Sequence, residues 1–379
     1  MAHAELAQPV DHASAGWWKA LVAFGGLGFV LAIGVALGGQ AGNFASAGLS
    51  YVPLIVLGAV LQLRAYPVLR IVSWLWFWLT LAVFALLSLT LIFLTFADPS
   101  LPLTFEIGPR LVAPIVAMLV ILVVSAAVAA TPAWAWLAAV LGANVDRESP
   151  AHAQGAVGVL ALSAMSIAPL ALLGGRAPLI DLLNRIDGTI QPLSTVDQLL
   201  MQVYSVLWIG VLVLFGTGWP VLRTVRDALA RLGIGPLQRR DVAALAVVTA
   251  ATIGVGIVLD VVNRALLGVL GLPMTDPTVV LRLVPAAATP VGALVIAACA
   301  GVSEELMFRG WLQPRLGWLL ANLGFVAAHA FQYGLDGLVA VFVLGAILAF
   351  VRQRWNTTAS IGVHFAYDAV LFLLTILGF

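Results

Sequence analysis

Ile71-Val-Ser-Trp-Leu-Trp-Phe-Trp-Leu-Thr-Leu-Ala-Val-Phe-Ala-Leu-Leu-Ser-Leu-Thr-Leu-Ile-Phe-Leu-Thr-Phe96 is a run of 26 residues without one ionisable side chain. As a helix at 1.5 Å per residue it reaches about 39 Å, more than the roughly 30 Å of a bilayer's hydrocarbon core. A segment in lipid must satisfy its backbone polar groups internally, and this run is continuously apolar rather than alternating, so helix is favoured over barrel strand. Trp74, Trp76 and Trp78 at its start fit an interfacial aromatic belt.

The rest of the chain reads the same way. Of 379 residues, 62% are hydrophobic and 9% charged, against roughly 25% charged in a soluble domain, and mean hydropathy is +1.09. Apolar runs place spans at 17–39, 45–63, 71–96, 111–133 (possible continuation to 143 across Pro132), 156–174, 198–222, 242–260, 290–308, 317–333, 338–351 and 357–378. The expected fold is an all-α polytopic transmembrane bundle of about eleven spans. Residues 1–16 lack a basic cluster and a clear cleavage site follows nowhere in the first run, so Trp17–Gly39 reads as a retained span and 1–16 as a tail.

A net charge of +1 without basic stretches gives no reason to expect a nucleic-acid partner, and no glycine-rich loop in a strand-to-helix context supports nucleotide binding. Cys299 is the one cysteine, so no intrachain disulfide forms, and its small apolar neighbours make it a packing residue. Arg223, Arg226, Arg231, Arg239 and Arg240 make 223–240 the densest basic loop. Placing it in the cytoplasm puts thirteen of the eighteen lysines and arginines on that side under eleven spans, with a cytoplasmic N-terminus. The same loop divides the chain into an N-terminal multi-span module (17–222), a basic linker (223–241) and a C-terminal core (242–379). Alanine and glycine richness points to a bacterial inner membrane.

Charged side chains inside spans are costly and mark function by default. Here they concentrate in the core. Gly301-Val-Ser-Glu-Glu-Leu-Met-Phe-Arg-Gly310 holds two of the five glutamates, His329 and His364 are two of the five histidines, and Asp368 follows His364 by four. Glu305 and Arg309 share a helix face in the favourable order, which leaves Glu304, rotated by about 100°, free to meet another helix. Glu304 beside an imidazole could activate water, and His364 with Asp368 could face an oxyanion. Glu304 and His364 are expected near the cytoplasmic ends of their spans, with His329 deeper. Ser303 reads as a small packing residue, and Asn356-Thr357-Thr358, although it fits a glycosylation pattern, falls on the cytoplasmic side.

Three other readings stay open at this point. Glu304 and Glu305 could be a hydrated interfacial pair balanced by Arg309 and Arg315. Glu304, His329, His364 and Asp368 are also acceptable zinc ligands, although no His-Glu-x-x-His is present. A transporter or binding protein could use the cluster as a proton relay or ligand site.

Glu304-Glu305-x-x-x-Arg309, Phe325-x-x-x-His329 and His364-x-x-x-Asp368, in this order on successive apolar segments, resemble the CAAX protease and bacteriocin-processing (CPBP, or Abi) family. The resemblance covers roughly 242–379 and implies an intramembrane glutamic endopeptidase acting on a membrane-associated peptide or protein. It implies that Glu304 and His329 activate water, that His364 and Asp368 hold the oxyanion, and that Glu305 and Arg309 support the site. Prenylated C-terminal tails, leader peptides and sorting tags all lie within its substrate range, and no cofactor is expected. The family pattern has Asn or Asp at the last position, and its best studied members have Asn where this chain has Asp368.

The topology is directly testable. In a Cys299→Ser background, Ala230→Cys should react with an impermeant thiol reagent from the cytoplasmic side and Val280→Cys from the other; cytoplasmic labelling of position 280 overturns the arrangement.

Overall fold

Helices dominate the computed structural model, which describes residues 16–63, 66–96, 109–129, 156–161, 193–270, 275, 281, 284–330 and 332–378; no strand occurs among them. In chain order the helices are α1 (Trp17–Leu37), α2 (Gly39–Leu49), α3 (Val52–Gln62), α4 (Pro67–Phe96), α5 (Pro109–Ala129), α6 (Thr195–Gly216), α7 (Val225–Arg231), α8 (Val242–Leu270), α9 (Pro290–Glu304), α10 (Gln313–His329), α11 (Leu335–Arg354) and α12 (Thr357–Ile376). A π-helical segment, Glu305–Leu312, joins α9 to α10.

The fold is the expected all-helical membrane bundle, but the count of eleven spans is not reproduced. Among the described residues seven helices are long and apolar enough to cross a membrane, or eight if the pair α2 and α3, bent by 57°, forms one broken span. That bent pair replaces the single span expected at 45–63. Of the span expected at 156–174, only 156–161 falls within the described residues, and the extension to 143 and the tail lie outside them. Helix α8 runs to Leu270, ten residues past the expected end, because Arg264 Nε donates to both Asp260 carboxylate oxygens at 2.9 Å. An i,i+4 pair of that kind neutralises the polar turn within the helix.

The stretch Pro290–His329 is helical for 40 residues, too long for one straight crossing. It is interrupted at Gly317, whose backbone (φ 79°, ψ 165°) is non-helical. Left-handed φ is strained for any residue with a Cβ, so glycine suits this position. Glu304 and His329 would stand about 37 Å apart on a straight helix, yet their side chains come within 3.6 Å. The chain therefore folds back at Gly317. Helix continues from Glu304 to this reversal for roughly 20 Å.

Close backbone approaches hold the two halves together. A Cβ on Gly216 of α6 would lie 2.4 Å from the Trp311 indole, and one on Gly58 of α3 would lie 3.2 Å from Gly216 N. Trp311 Nε1 donates to the Gly216 carbonyl at 3.0 Å, keying α6 onto the π-segment. The basic linker is ordered: Thr224 caps α7 through Asp227 N, Thr357 Oγ1 donates to the Leu232 carbonyl at 2.6 Å, and Gly235 N donates to Thr358 Oγ1 at 3.1 Å. Asn356 Oδ1 accepts from Ala359 N at 2.8 Å and caps α12. The Asn356-Thr357-Thr358 triplet is thus a helix cap and a clamp for the linker.

Gly216→Ala should lower stability by about 1–3 kcal/mol through overpacking against Trp311. Thermal unfolding of Gly216→Ala, Trp311→Leu and the double variant should show less than additive losses, since the two changes act on one contact; full additivity would contradict the keyed packing.

Candidate active site

Helix α9 starts from Thr289, whose Oγ1 accepts from Gly292 N at 3.1 Å, with Pro290 at its first position. It packs along α12 so closely that a Cβ on Gly301 would meet Phe365 N at 3.2 Å and the Ile361 carbonyl at 3.3 Å. That approach sets Glu304 and Glu305, one turn further on, beside His364. At Glu305 the winding changes to π, a form found mostly as short segments at functional sites.

The two glutamates have opposite surroundings. Glu305 is fully buried: Oε1 lies 3.0 Å from His364 Nδ1 and 3.3 Å from Arg309 Nη1. Arg309 in turn donates from Nη2 to the Gly345 carbonyl of α11 at 3.1 Å, and its guanidinium stands 4.0 Å over the Phe325 ring of α10. The side chain of Glu304 is 27% exposed, and its Oε2 lies 3.6 Å from His329 Nε2 and 3.9 Å from His364 Nε2. Asp368 Oδ2 lies 3.4 Å from the same His364 nitrogen. All four sequence-predicted residues, Glu304, His329, His364 and Asp368, come together, with Glu305 and Arg309 buried behind them.

Hydrogen bonding fixes the His329 ring. Its Nδ1 lies 2.8 Å from the Phe325 carbonyl, which can only accept, so Nδ1 carries a proton and donates. In the neutral ring Nε2 is then an acceptor, and it faces Glu304 Oε2, a buried acceptor atom without a hydrogen-bond partner among the described residues. Two acceptors 3.6 Å apart lack a donor between them. A water molecule supplies two.

Several participants carry no motif signal. Phe325 and Tyr333 flank the His329 ring at centroid distances of 4.5 Å and 6.0 Å, the tyrosine stacked within 5°. Burial, and then the nearby Asp368 and Glu304 carboxylates, push the Tyr333 hydroxyl up, so it remains a protonated donor at neutral pH. Asn322 Nδ2 donates to the Phe342 carbonyl at 2.9 Å, and a Cβ on Gly345 would fall 1.9 Å from Asn322 Oδ1 and 2.9 Å from Arg309 Nη2. Arg315 is buried and donates to the Trp311 carbonyl at 2.8 Å. Among the described residues no group of three His, Cys, Asp or Glu side chains is disposed to hold a metal ion.

Residues 286–370 match the family described as type II CAAX prenyl endopeptidase Rce1-like. That stretch is similar to the Rce1-like family. The match covers just under a quarter of the chain and less than the 242–379 expected for the resemblance, but it contains every residue from Glu304 to Asp368 discussed above. No curated protein and no solved structure matches the chain. The apolar helices mark an integral membrane protein, and the family matched by residues 286–370 is one of peptidases.

Removing one member of a buried ion pair strands the other. Arg309→Met should cost about 3–5 kcal/mol by leaving Glu305 uncompensated, and Gly345→Ala should destabilise by displacing the Arg309 and Asn322 side chains. Thermal unfolding in detergent checks both; wild-type melting of Arg309→Met would remove the pair from its place at the centre of the core.

Proposed function

We propose that the protein is an intramembrane endopeptidase that cleaves a membrane-associated peptide with a water molecule activated by Glu304 and His329. The observation that carries this reading is the pair of facing acceptors, Glu304 Oε2 and His329 Nε2 at 3.6 Å, on the partly exposed side of the cluster. Water held there donates one hydrogen bond to each group. As its oxygen attacks the scissile carbonyl carbon, Glu304 takes up a proton and later delivers it to the leaving amine.

Charge develops on the carbonyl oxygen, which needs donors in place beforehand. His364 faces Glu305 through Nδ1 at 3.0 Å and Asp368 through Nε2 at 3.4 Å. One proton held between His364 Nε2 and Asp368 Oδ2 serves the oxyanion whichever atom carries it. This accommodates a carboxyl where the best studied family members carry an amide. Glu305 and Arg309 act through His364 as positioning residues. No nucleophilic serine or cysteine is needed, so the peptide passes directly to products without an acyl-enzyme.

Glu304, His329 and His364 are chemically able to bind zinc, but no step here is assigned to a metal. The peptide substrate is membrane-associated, and a prenylated CAAX tail is one candidate, since the matched family is described by that substrate. On this reading the N-terminus and the basic linker face the cytoplasm, the orientation that keeps most lysines and arginines inside, and the membrane is a bacterial inner membrane.

The test is cleavage of a peptide library, prenylated CAAX tails included, by protein reconstituted in vesicles. Glu304→Ala should abolish cleavage without lowering the melting temperature, whereas Glu305→Ala should lose both. Asp368→Asn should stay within about tenfold of wild type and Asp368→Ala fall by about 10²–10³, the usual cost of an oxyanion donor. Wild-type cleavage should persist with a chelator present. Full activity of Glu304→Ala, or loss of cleavage to chelator, overturns this mechanism.

A further inference from the structure

The aromatic ring laid over His329 is held by contacts that lie outside the catalytic cluster. Helix α10 ends at His329, so Tyr333, four residues on, is not fixed by a continuing helix. Three contacts fix it instead. Its backbone N–H donates to the His329 carbonyl at 3.2 Å. The next residue, Gly334, donates from its N–H to Thr275 Oγ1 at 2.8 Å. Thr275 Oγ1 donates in turn to Asp336 Oδ1 at 2.6 Å, and Thr275 N lies 3.1 Å and 3.0 Å from the two oxygens of the same carboxylate, which is buried. Asn263 of α8 donates to the Asp336 carbonyl at 3.1 Å, so the start of α11 is tied to Thr275 and to α8 directly after Tyr333. The third contact is with bare backbone: a Cβ on Gly337 would fall 2.7 Å from Tyr333 Cβ and 2.9 Å from its Cγ.

The result is a parallel pair, ring planes within 5° and centroids 6.0 Å apart, the offset stack that aromatic rings favour. The His329 ring also has its Nδ1 bonded to the Phe325 carbonyl at 2.8 Å, a single contact about which the imidazole can still rock. A stacked neighbour removes that freedom and keeps Nε2 directed at Glu304 Oε2. Small displacements of a group that acts on water cost rate steeply. We infer that Tyr333 is a positioning residue: its ring, set by the Thr275–Asp336 tie and by the missing side chain of Gly337, holds the His329 imidazole in the orientation from which Nε2 faces Glu304. The ring does this, and the hydroxyl is not needed for it. The effect on cleavage rests on the reading of His329 as a group that holds the attacking water; the control of ring orientation does not.

Full-length protein labelled with ¹⁵N-histidine is reconstituted in lipid and read by solid-state NMR, with the His329 signals assigned by comparison with His329→Gln; peptide cleavage is measured on the same samples. Wild type should show His329 as one tautomer, protonated at Nδ1, in a sharp pair of signals. Tyr333→Leu and Gly337→Ala should each shift or broaden that pair and lower kcat about tenfold or more with KM little changed. Gly337→Ala alters no side chain of the cluster, so it carries the test where Tyr333→Leu fails to fold. Tyr333→Phe, which keeps the ring, should keep the wild-type signals and most of kcat. Thr275→Val, which removes the central hydroxyl of the tie, should disturb the same signals. Wild-type His329 signals in both Tyr333→Leu and Gly337→Ala overturn the inference, whatever happens to cleavage. A Tyr333→Phe variant as defective as Tyr333→Leu also overturns it, by assigning the effect to the hydroxyl. Disturbed signals in the variants, with no cleavage even by wild type, uphold the positioning and remove the peptidase reading instead.

Discussion

A carboxylate and a guanidinium sealed away from water, Glu305 and Arg309, are the constraint to which the C-terminal helices answer. Neither ion is tolerated in such a place alone. Glu305 uses a single carboxylate oxygen, Oε1, to meet both Arg309 at 3.3 Å and His364 of α12 at 3.0 Å. Arg309 spends a donor on the α11 backbone at Gly345 and lays its plane over Phe325 of α10. One ion pair thus sets the positions of three further helices relative to the π-segment. The exposed chemistry of Glu304 is built on that buried base.

Geometry that brings distant residues together here comes from departures from regular helix. The reversal at Gly317 returns His329 to Glu304, and the π-winding that begins at Glu305 carries Glu305, Phe308, Arg309 and Trp311 into the interior together. Small residues do the rest: Gly301 lets α9 lie against α12, Gly345 makes room for Arg309 and Asn322, and Gly216 receives Trp311. In lipid, where apolar side chains gain little by leaving their solvent, such close packing and interhelical hydrogen bonds are what hold helices together.

Hydropathy made the membrane bundle legible, because a chain 62% hydrophobic has few other ways to satisfy its backbone. The cluster was legible too: Glu304, His329, His364 and Asp368 stand out as rare ionisable residues on apolar segments, and all four meet. What periodicity missed was irregularity. It divided Pro290–His329 into two segments, and the structure breaks the same stretch at Gly317, but apolar counts register neither the π-winding from Glu305 nor the return of His329 to Glu304. It stopped α8 at residue 260 because the Asp260 and Arg264 charges look like a loop until their mutual neutralisation is seen. It read Glu305 and Arg309 as a self-contained pair, and the share of His364 in that pair depends on a contact 59 residues away in sequence. Tyr333, Asn322 and Gly345 gave no signal, being ordinary residues made important by what they touch.

The division of labour between adjacent glutamates follows from exposure alone. Glu305 at 0% can only position; Glu304 at 27% can reach water and substrate. Direct attack by water is the centre of the account, and isotopic and trapping analysis of a cleaved peptide tests it most directly. Cleavage in ¹⁸O-water with hydroxylamine present should yield a carboxyl product carrying one heavy oxygen and no hydroxamate, whereas a hydroxamate product would reveal an acyl-enzyme and contradict activation of water by Glu304 and His329.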